Sequence, residues 1–308
     1  MQKKESIIVK SKAEYFISGR EVYCIGSKEK ASVFKEDGAT VLSWNEVPDP
    51  SVYDKIGELR LLPTKAQLSK LKFPEFVKDL KQLHFLEIPL PYLSIIKQED
   101  LPVGLKALMI TNDEEHGEWV TKKLPLWPDI VLPALKALTF FNSFTSKELP
   151  SLLNISQEHF PALEYLDFRM DKKGNILNDL AKFSSLQHLE VEFAWNTDLI
   201  AHINSPLKAL SILGAEKNFE VNDLSKLPQL QMVWLNSIKA PIDCTVFTTL
   251  PALLEVNVLN SKKIEHLEAL LDCKKLKSLF FLNCGQPFKK IRDQFLPENF
   301  ELLDIKYS

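Results

Sequence analysis

Glycine is scarce in this chain, nine among 308 residues, and none falls in a phosphate-cradling loop or a Gly-x-Ser-x-Gly elbow. That sets aside the common nucleotide-binding loops and the strained turn of serine hydrolases. Cysteine is equally sparse: Cys24, Cys244, Cys273 and Cys284 show no Cys-x-x-Cys spacing, so they read as reduced, buried thiols and not as a disulfide framework. The six histidines, at 84, 116, 159, 188, 202 and 266, lack metal-ligand spacing, and no cofactor or metal is expected. No apolar run approaches the roughly 18 residues of a membrane span. Near the N-terminus the apolar stretch is only Ile7-Ile8-Val9, too short for a secretory signal, so the expected location is the cytoplasm. Charge is not concentrated either. The 38 basic and 41 acidic residues give a net −3 without a run of five like charges, which disfavours nucleic acid and membrane as partners.

What the chain does have is an average globular composition, 45% hydrophobic and 26% charged, arranged on a repeating frame. Leu135-Lys-Ala-Leu138-Thr-Phe140, Leu163-Glu-Tyr-Leu166-Asp-Phe168, Leu186-Gln-His-Leu189-Glu-Val191 and Leu207-Lys-Ala-Leu210-Ser-Ile212 all place apolar residues at positions 1, 4 and 6. Such units open at Ile56, Leu83, Leu105, Leu135, Leu163, Leu186, Leu207, Leu230, Leu253, Leu276 and Phe300, and the four intervals after Leu207 are 23, 23, 23 and 24 residues. One unit could arise by chance about one time in eleven at this apolar content; a near-constant period could not. Leu132-Pro133, Phe160-Pro161, Leu227-Pro228 and Leu250-Pro251 stand just before unit openings, where proline ends one segment and allows a strand to begin. Between units, Ile264, Leu267 and Leu271 keep helical spacing, as do Ile176, Leu180 and Phe183.

Positions 4 and 6 alternate as in a strand, so each unit is a short strand, a turn and a helical or irregular return whose apolar edge is buried by its neighbours. The pattern resembles the leucine-rich-repeat superfamily, with its Leu-x-x-Leu-x-Leu signature, over about residues 50–308. The resemblance implies an α/β solenoid of about eleven repeats, with a curved parallel sheet on a concave side and helices or irregular returns on a convex side. That family usually carries Asn or Cys at position 9. Here the position holds Asp113, Ser143, Asp171, Ala194, Ala215, Ile238, Ser261 and Cys284, which makes this an irregular type without an asparagine ladder. Residues 1–50 lack the repeat. Runs at 6–9, 13–17, 21–25, 31–34 and 39–44 are β-prone, with Ser18-Gly19-Arg20 as a hairpin turn. The expected division is an N-terminal β cap, 1–50, over a repeat domain, 51–308.

The resemblance implies that side chains between the repeat leucines face the concave, partner-binding side. There Asp167, Glu190 and Glu192 make an acidic patch beside Tyr165, His188 and Arg169. Met232, Trp234, Leu259, Phe280 and Leu282 make an exposed apolar stretch of the kind that marks interaction sites. The segment Thr111-Asn-Asp-Glu-Glu-His-Gly-Glu-Trp119 matches no metal motif and reads as a solvated loop. His188 beside Glu190 lacks a nucleophile, and no catalytic constellation is visible. The expected function is therefore non-enzymatic: an intracellular adaptor, regulator or immunity-type inhibitor that binds a partner protein, with the acidic patch favouring a basic one and no small-molecule substrate identified. Two alternatives are the substrate-recognition part of an enzyme or effector, for which Cys24 is a poor nucleophile, and a structural protein that self-associates through its last strand.

Overall fold

In a computed structural model, the placement is described for residues 7–70, 72–112, 127–142, 155–170, 174, 177–194, 198–285 and 291–306. The chain forms two compact units, one of Lys12–Asp167 and the other of Met1–Ser11 with Phe168–Ser308.

The N-terminal unit takes in the end of helix α1 (Ile7–Phe16), then β1 (Glu21–Gly26), α2 (Lys28–Glu36), β2 (Thr40–Ser43), β3 (Ile56–Leu62) and the single turn α3 (Lys65–Leu68). It continues with β4 (Phe85–Pro89), β5 (Ala107–Asn112), β6 (Ala137–Asn142) and β7 (Tyr165–Arg169), the last ending just past the unit boundary. The strand order is β2-β1-β3-β4-β5-β6-β7, and the strands pair in parallel. The repeat frame is physical, because position 4 of one unit sits opposite position 4 of the next: Leu59 pairs with Leu86, Leu86 with Leu108, Leu108 with Leu138 and Leu138 with Leu166. All five leucines are fully buried.

The C-terminal unit has the single turn α4 (Leu177–Leu180), β8 (His188–Ala194), β9 (Ala209–Ala215), β10 (Met232–Ile238), β12 (Glu255–Leu259), β14 (Ser278–Leu282) and β15 (Leu302–Lys306), hydrogen-bonded in that order. Its register is the same: Leu189, Leu210, Val233, Val256, Leu279 and Leu303 lie opposite one another in turn. Two-residue strands β11 (Ile242–Asp243) and β13 (Ile264–Glu265) pair outside this sheet.

The returns are 3-10 turns over Val221–Lys226, Cys244–Thr249 and Leu267–Asp272. A unit of 23 residues leaves little chain for an α-helix once strand and turn are counted, and the tighter 3-10 form repeats every three residues. The helical spacing expected for Ile264, Leu267 and Leu271 is corrected accordingly. Ile264 belongs to β13, Leu267 and Leu270 are buried three residues apart, and Leu271 points outward at 42% exposure. The proline punctuation holds at Leu250-Pro251, where the amide of Leu250 bonds to Phe247 O and closes the turn.

The first fifty residues differ from the β-prone reading in two places. The runs at 6–9 and 13–17 lie in or beside α1, and residues 31–34 lie inside α2. In α2 the caps prevail over the β-branched residues: the Ser27 side chain accepts from the Lys30 amide at the start, and Asp37 with Gly38 at φ +88° ends it. The runs at 21–25 and 39–44 do hold strands, β1 and β2, which pair in parallel through α2. Ser18-Gly19-Arg20 turns the chain as expected, with Gly19 at φ +67°, but it joins a helix to a strand and makes no hairpin.

Candidate functional site: the odd-numbered face of the strands

Positions 3, 5 and 7 of each strand point away from the leucine core formed by positions 4 and 6. In the N-terminal unit this odd face is itself buried. Phe85, Ala107, Ala137 and Tyr165, the position-3 residues of β4 to β7, are 1% exposed or less and form a cluster of their own. Tyr15 and Phe16, at the end of α1, pack on them, with Met109 alongside. The two alanines leave a hollow between two rings, and Phe16 fills it. Its ring meets Phe85 at 5.6 Å and Tyr165 at 5.5 Å, both edge-on at 81° and 86°. Tyr15 meets Tyr165 at 5.5 Å. Aromatic pairs of this geometry contribute about 0.5–1.5 kcal/mol each beyond the area they bury.

Polar groups rim the hollow. The His84 Nε2–H donates to the Tyr15 carbonyl at 2.7 Å, satisfying one of the acceptors a helix leaves open at its C-terminal end. The Tyr15 hydroxyl donates to Glu164 Oε2 at 3.2 Å, and Lys136 Nζ holds the other oxygen of Glu164 at 3.0 Å. Burial and the Glu164 charge push the Tyr15 phenol well above its ordinary range. Lys12 lies 3.8 Å from Asp167 and 5.7 Å over the Tyr165 ring, a half-exposed arrangement of the weak surface class. Just past the end of α1, the Ser18 amide and hydroxyl both donate to Glu58 Oε1, at 2.9 and 3.0 Å. Farther toward the edge, Arg60 pairs with Glu87 and lies between the rings of Phe34, from α2, and Phe85, at 4.8 and 4.7 Å.

Tyr165, expected as an exposed anchor, is thus at 0% exposure because α1 lies over it, and Asp167 is half-buried opposite Lys12. The remaining expected residues belong to the C-terminal unit. Arg169 is 9% exposed, with its guanidinium 4.2 Å over the Phe193 ring and its Nε and Nη1 buried without a hydrogen bond. Burial lowers its pKa while Glu192 opposes the shift. His188 is buried; Glu190 and Glu192 are half-buried. Met232 is at 0% exposure because it packs against Ala209 beneath Trp234, which corrects the expected exposed stretch. Trp234, Leu259, Phe280 and Leu282 are half-buried and present only part of their surface. Position 5 forms a row across this unit, in register from Glu190 through Ser211, Trp234, Asn257 and Phe280 to Asp304. Within it Asn257 is buried and donates to the buried carboxylate of Glu255 at 2.6 Å. Sequence reasoning missed Tyr15, Phe16, His84 and Glu164. The small residues Ala107 and Ala137, flanked by Phe85 and Tyr165, were the available sign that something fills this face. The segment from Asp113 to Trp119 lies outside the described residues.

Past β8, β9, β10, β12 and β14 the chain turns in one manner. Phe193, Gly214, Ser237, Asn260 and Asn283, all at position 8, have φ between 51° and 87°. That left-handed step aims position 9 inward, where Ala194, Ala215, Ile238, Ser261 and Cys284 are buried. Strand register, frame and inward ninth position now coincide. The fold is that of a leucine-rich-repeat protein. Among the leucine-rich-repeat turns, Ser261 Oγ accepts from the Ile238 amide at 3.0 Å and donates to Leu259 O at 2.9 Å, while Cys284 Sγ donates toward Val258 O and Leu282 O, each at 3.3 Å.

No family model matches the chain, and no curated protein does. Among solved structures it is similar to an internalin (inlF) of Listeria monocytogenes, 16% identical, over 88% of this chain and 75% of that one, with a TM-score of 0.48. It is also similar to an internalin C2 (inlC2) of Listeria monocytogenes, 18% identical, over 82% of this chain and 90% of that one at 0.37. A leucine-rich-repeat protein of Leptospira interrogans is 16% identical, over 93% of this chain and 90% of that one at 0.31. Among the described residues no helix is long and apolar enough to cross a membrane, and no group of His, Cys, Asp or Glu is placed to hold a metal ion.

Proposed function

We propose that the protein is a non-enzymatic interaction module that binds a partner protein through the odd face of its repeats. The observation that carries this reading is the position-5 row of the C-terminal unit, in which half-buried Trp234 and Phe280 stand in line with the half-buried carboxylates Glu190 and Asp304. Large aromatics supported from below are good anchors, because they offer contact area while losing little freedom on binding. Met232 and Ala209 support Trp234 in that manner. Glu190 and Glu192, with His188 on the same strand and Arg169 at the end of β7, set the electrostatic rim. Their carboxylates favour a partner with a basic surface. In the N-terminal unit Tyr165 and Asp167 belong to a second seat on the same kind of face. The working location is the cytoplasm, the partner is neither nucleic acid nor membrane, and residues 1–50 act in service of a repeat domain, 51–308.

The test is capture from native lysate by the wild type and by a Trp234→Ala/Glu190→Lys/Glu192→Lys variant with an unchanged circular dichroism spectrum. A protein retained by the first and lost by the second is the expected result. Equal retention would move binding off this face. Self-association is the second reading, favoured by β15, which among the described residues ends the strand order beside β14. Concentration-dependent sedimentation that is abolished by a proline within β15 would replace the first reading with that one.

A further inference from the structure

We propose that residues 12–16 occupy a ligand seat on the N-terminal unit, and that the external ligand of this seat is a protein segment with two consecutive aromatic residues and a lysine four positions before the second. The seat is built for that chemistry. Phe85 and Tyr165 stand as walls, Ala107 and Ala137 form the floor, and Phe16 fits between the walls with both rings edge-on. The first aromatic of the pair, Tyr15, is read at both ends, by His84 on its carbonyl and by Glu164 on its hydroxyl. Lysine at the fourth position before Phe16 lies on the same helical face and reaches Asp167 and the Tyr165 ring.

Three features make the occupant exchangeable. The strands beneath it keep a separate core on their opposite face, where Leu86, Leu108, Leu138 and Leu166 are at 0% exposure. The segment is tethered through Gly19, whose φ of +67° suits a hinge. Its outer side is open to solvent: Tyr15 and Phe16 are only partly buried, and Ile17 beside them is 63% exposed. An external segment therefore competes with a tethered resident, and its apparent affinity is reduced by the fraction of time the seat is filled. This inference concerns the N-terminal unit alone and stands or falls independently of the row around Trp234.

Two measurements test it on the full chain. Hydrogen exchange of the wild type should show the amides of α1 exchanging at least about 100-fold faster than those of β5 and β6, as expected of a locally opening element. Exchange at the same rate as the strands would make α1 a permanent part of the core and overturn the proposal. In the second, a fluorescent peptide spanning residues 7–20 is titrated into the wild type and into Tyr15→Ala/Phe16→Ala. Saturable binding to the variant, at least about tenfold tighter than to the wild type, is expected, with no binding by a peptide carrying both alanines. Absence of binding to a folded variant, or equal binding to both proteins, overturns it. A wild-type dimer in sedimentation that is lost in the variant would assign the seat to a second copy's segment and overturn the choice of an external partner.

Discussion

Ser261 replaces, with two atoms, the amide that leucine-rich repeats usually carry at position 9. Its hydroxyl is fully buried, accepts from the Ile238 amide and donates to Leu259 O, so it ties one turn to the turn before it. Substituting Ser261→Ala strands the Ile238 amide in a dry site, and a buried donor without a partner costs about 1–3 kcal/mol. Urea unfolding of the variant should show that loss, and a change below about 0.5 kcal/mol would mean that water replaces the hydroxyl. The absence of asparagine from position 9 was legible from residues 194, 215, 238 and 284; that Asn283, Asn260 and Asn236 are linked in series by their side-chain amides, at positions 8 and 7, was not. That Ser261 and Cys284 carry polar links of their own was not, because it depends on the left-handed step at Asn260 and Asn283, which spacing alone does not reveal.

Among the elements, the repeat strands were readable in advance because their signal is local: each buries positions 4 and 6 of a unit whose neighbours do the same. Helix α1 was not readable. Ile7, Ile8, Val9, Tyr15 and Phe16 have strand propensity, and the cluster from Phe85 to Tyr165 on which Tyr15 and Phe16 pack lies far along the chain. Long-range packing prevailed over local preference. The turn that releases α1 from β1 passes close over Gly57, where a Cβ would lie 2.5 Å from both Arg20 Cβ and Ser18 Oγ. Gly57→Ala should therefore push this turn away from the sheet, weaken the two bonds from Ser18 to Glu58, and destabilise the N-terminal unit by about 1–3 kcal/mol. Proteolysis at residues 17–20 should quicken. A variant as resistant as the wild type would show that Ser18 and Arg20 move aside without loss.

For the molecule as a whole, the four cysteines behave as the composition implied: all are free, three are buried, and Cys273 is half-buried. Burial pushes Cys24 and Cys273 up to about 11, and Cys244 and Cys284 also upward, from an ordinary 9.0. Between those two values the folded chain retains thiol protons that the unfolded chain has released. Stability is then at full strength below about pH 9 and declines as the pH climbs toward 11. A Cys24→Ala/Cys273→Ala variant should decline less steeply in urea midpoints measured from pH 8 to 11; parallel slopes would remove the thiols as the cause. The candidate binding surface was only partly legible at this scale. Which residues share the odd face follows from the frame, but whether Tyr165 or Met232 meets solvent depends on what lies above them; Ala107 and Ala137 signal a filled face without naming α1 as what fills it, and spacing alone does not fold Trp234 over Met232.

The constant frame after Leu207 has a consequence for the history of this chain. From Leu207 through Leu230 and Leu253 to Leu276 each unit occupies 23 residues and pairs its fourth position with that of the next. Cutting out or duplicating one such block joins an equivalent turn to an equivalent strand, so every surviving pair keeps its partner class and its side. Length is thereby uncoupled from foldability in this stretch. A lineage could lengthen or shorten the row that holds Trp234 by unequal crossing-over, one side chain per step, and selection would act on the reach of the surface and not on its ability to form.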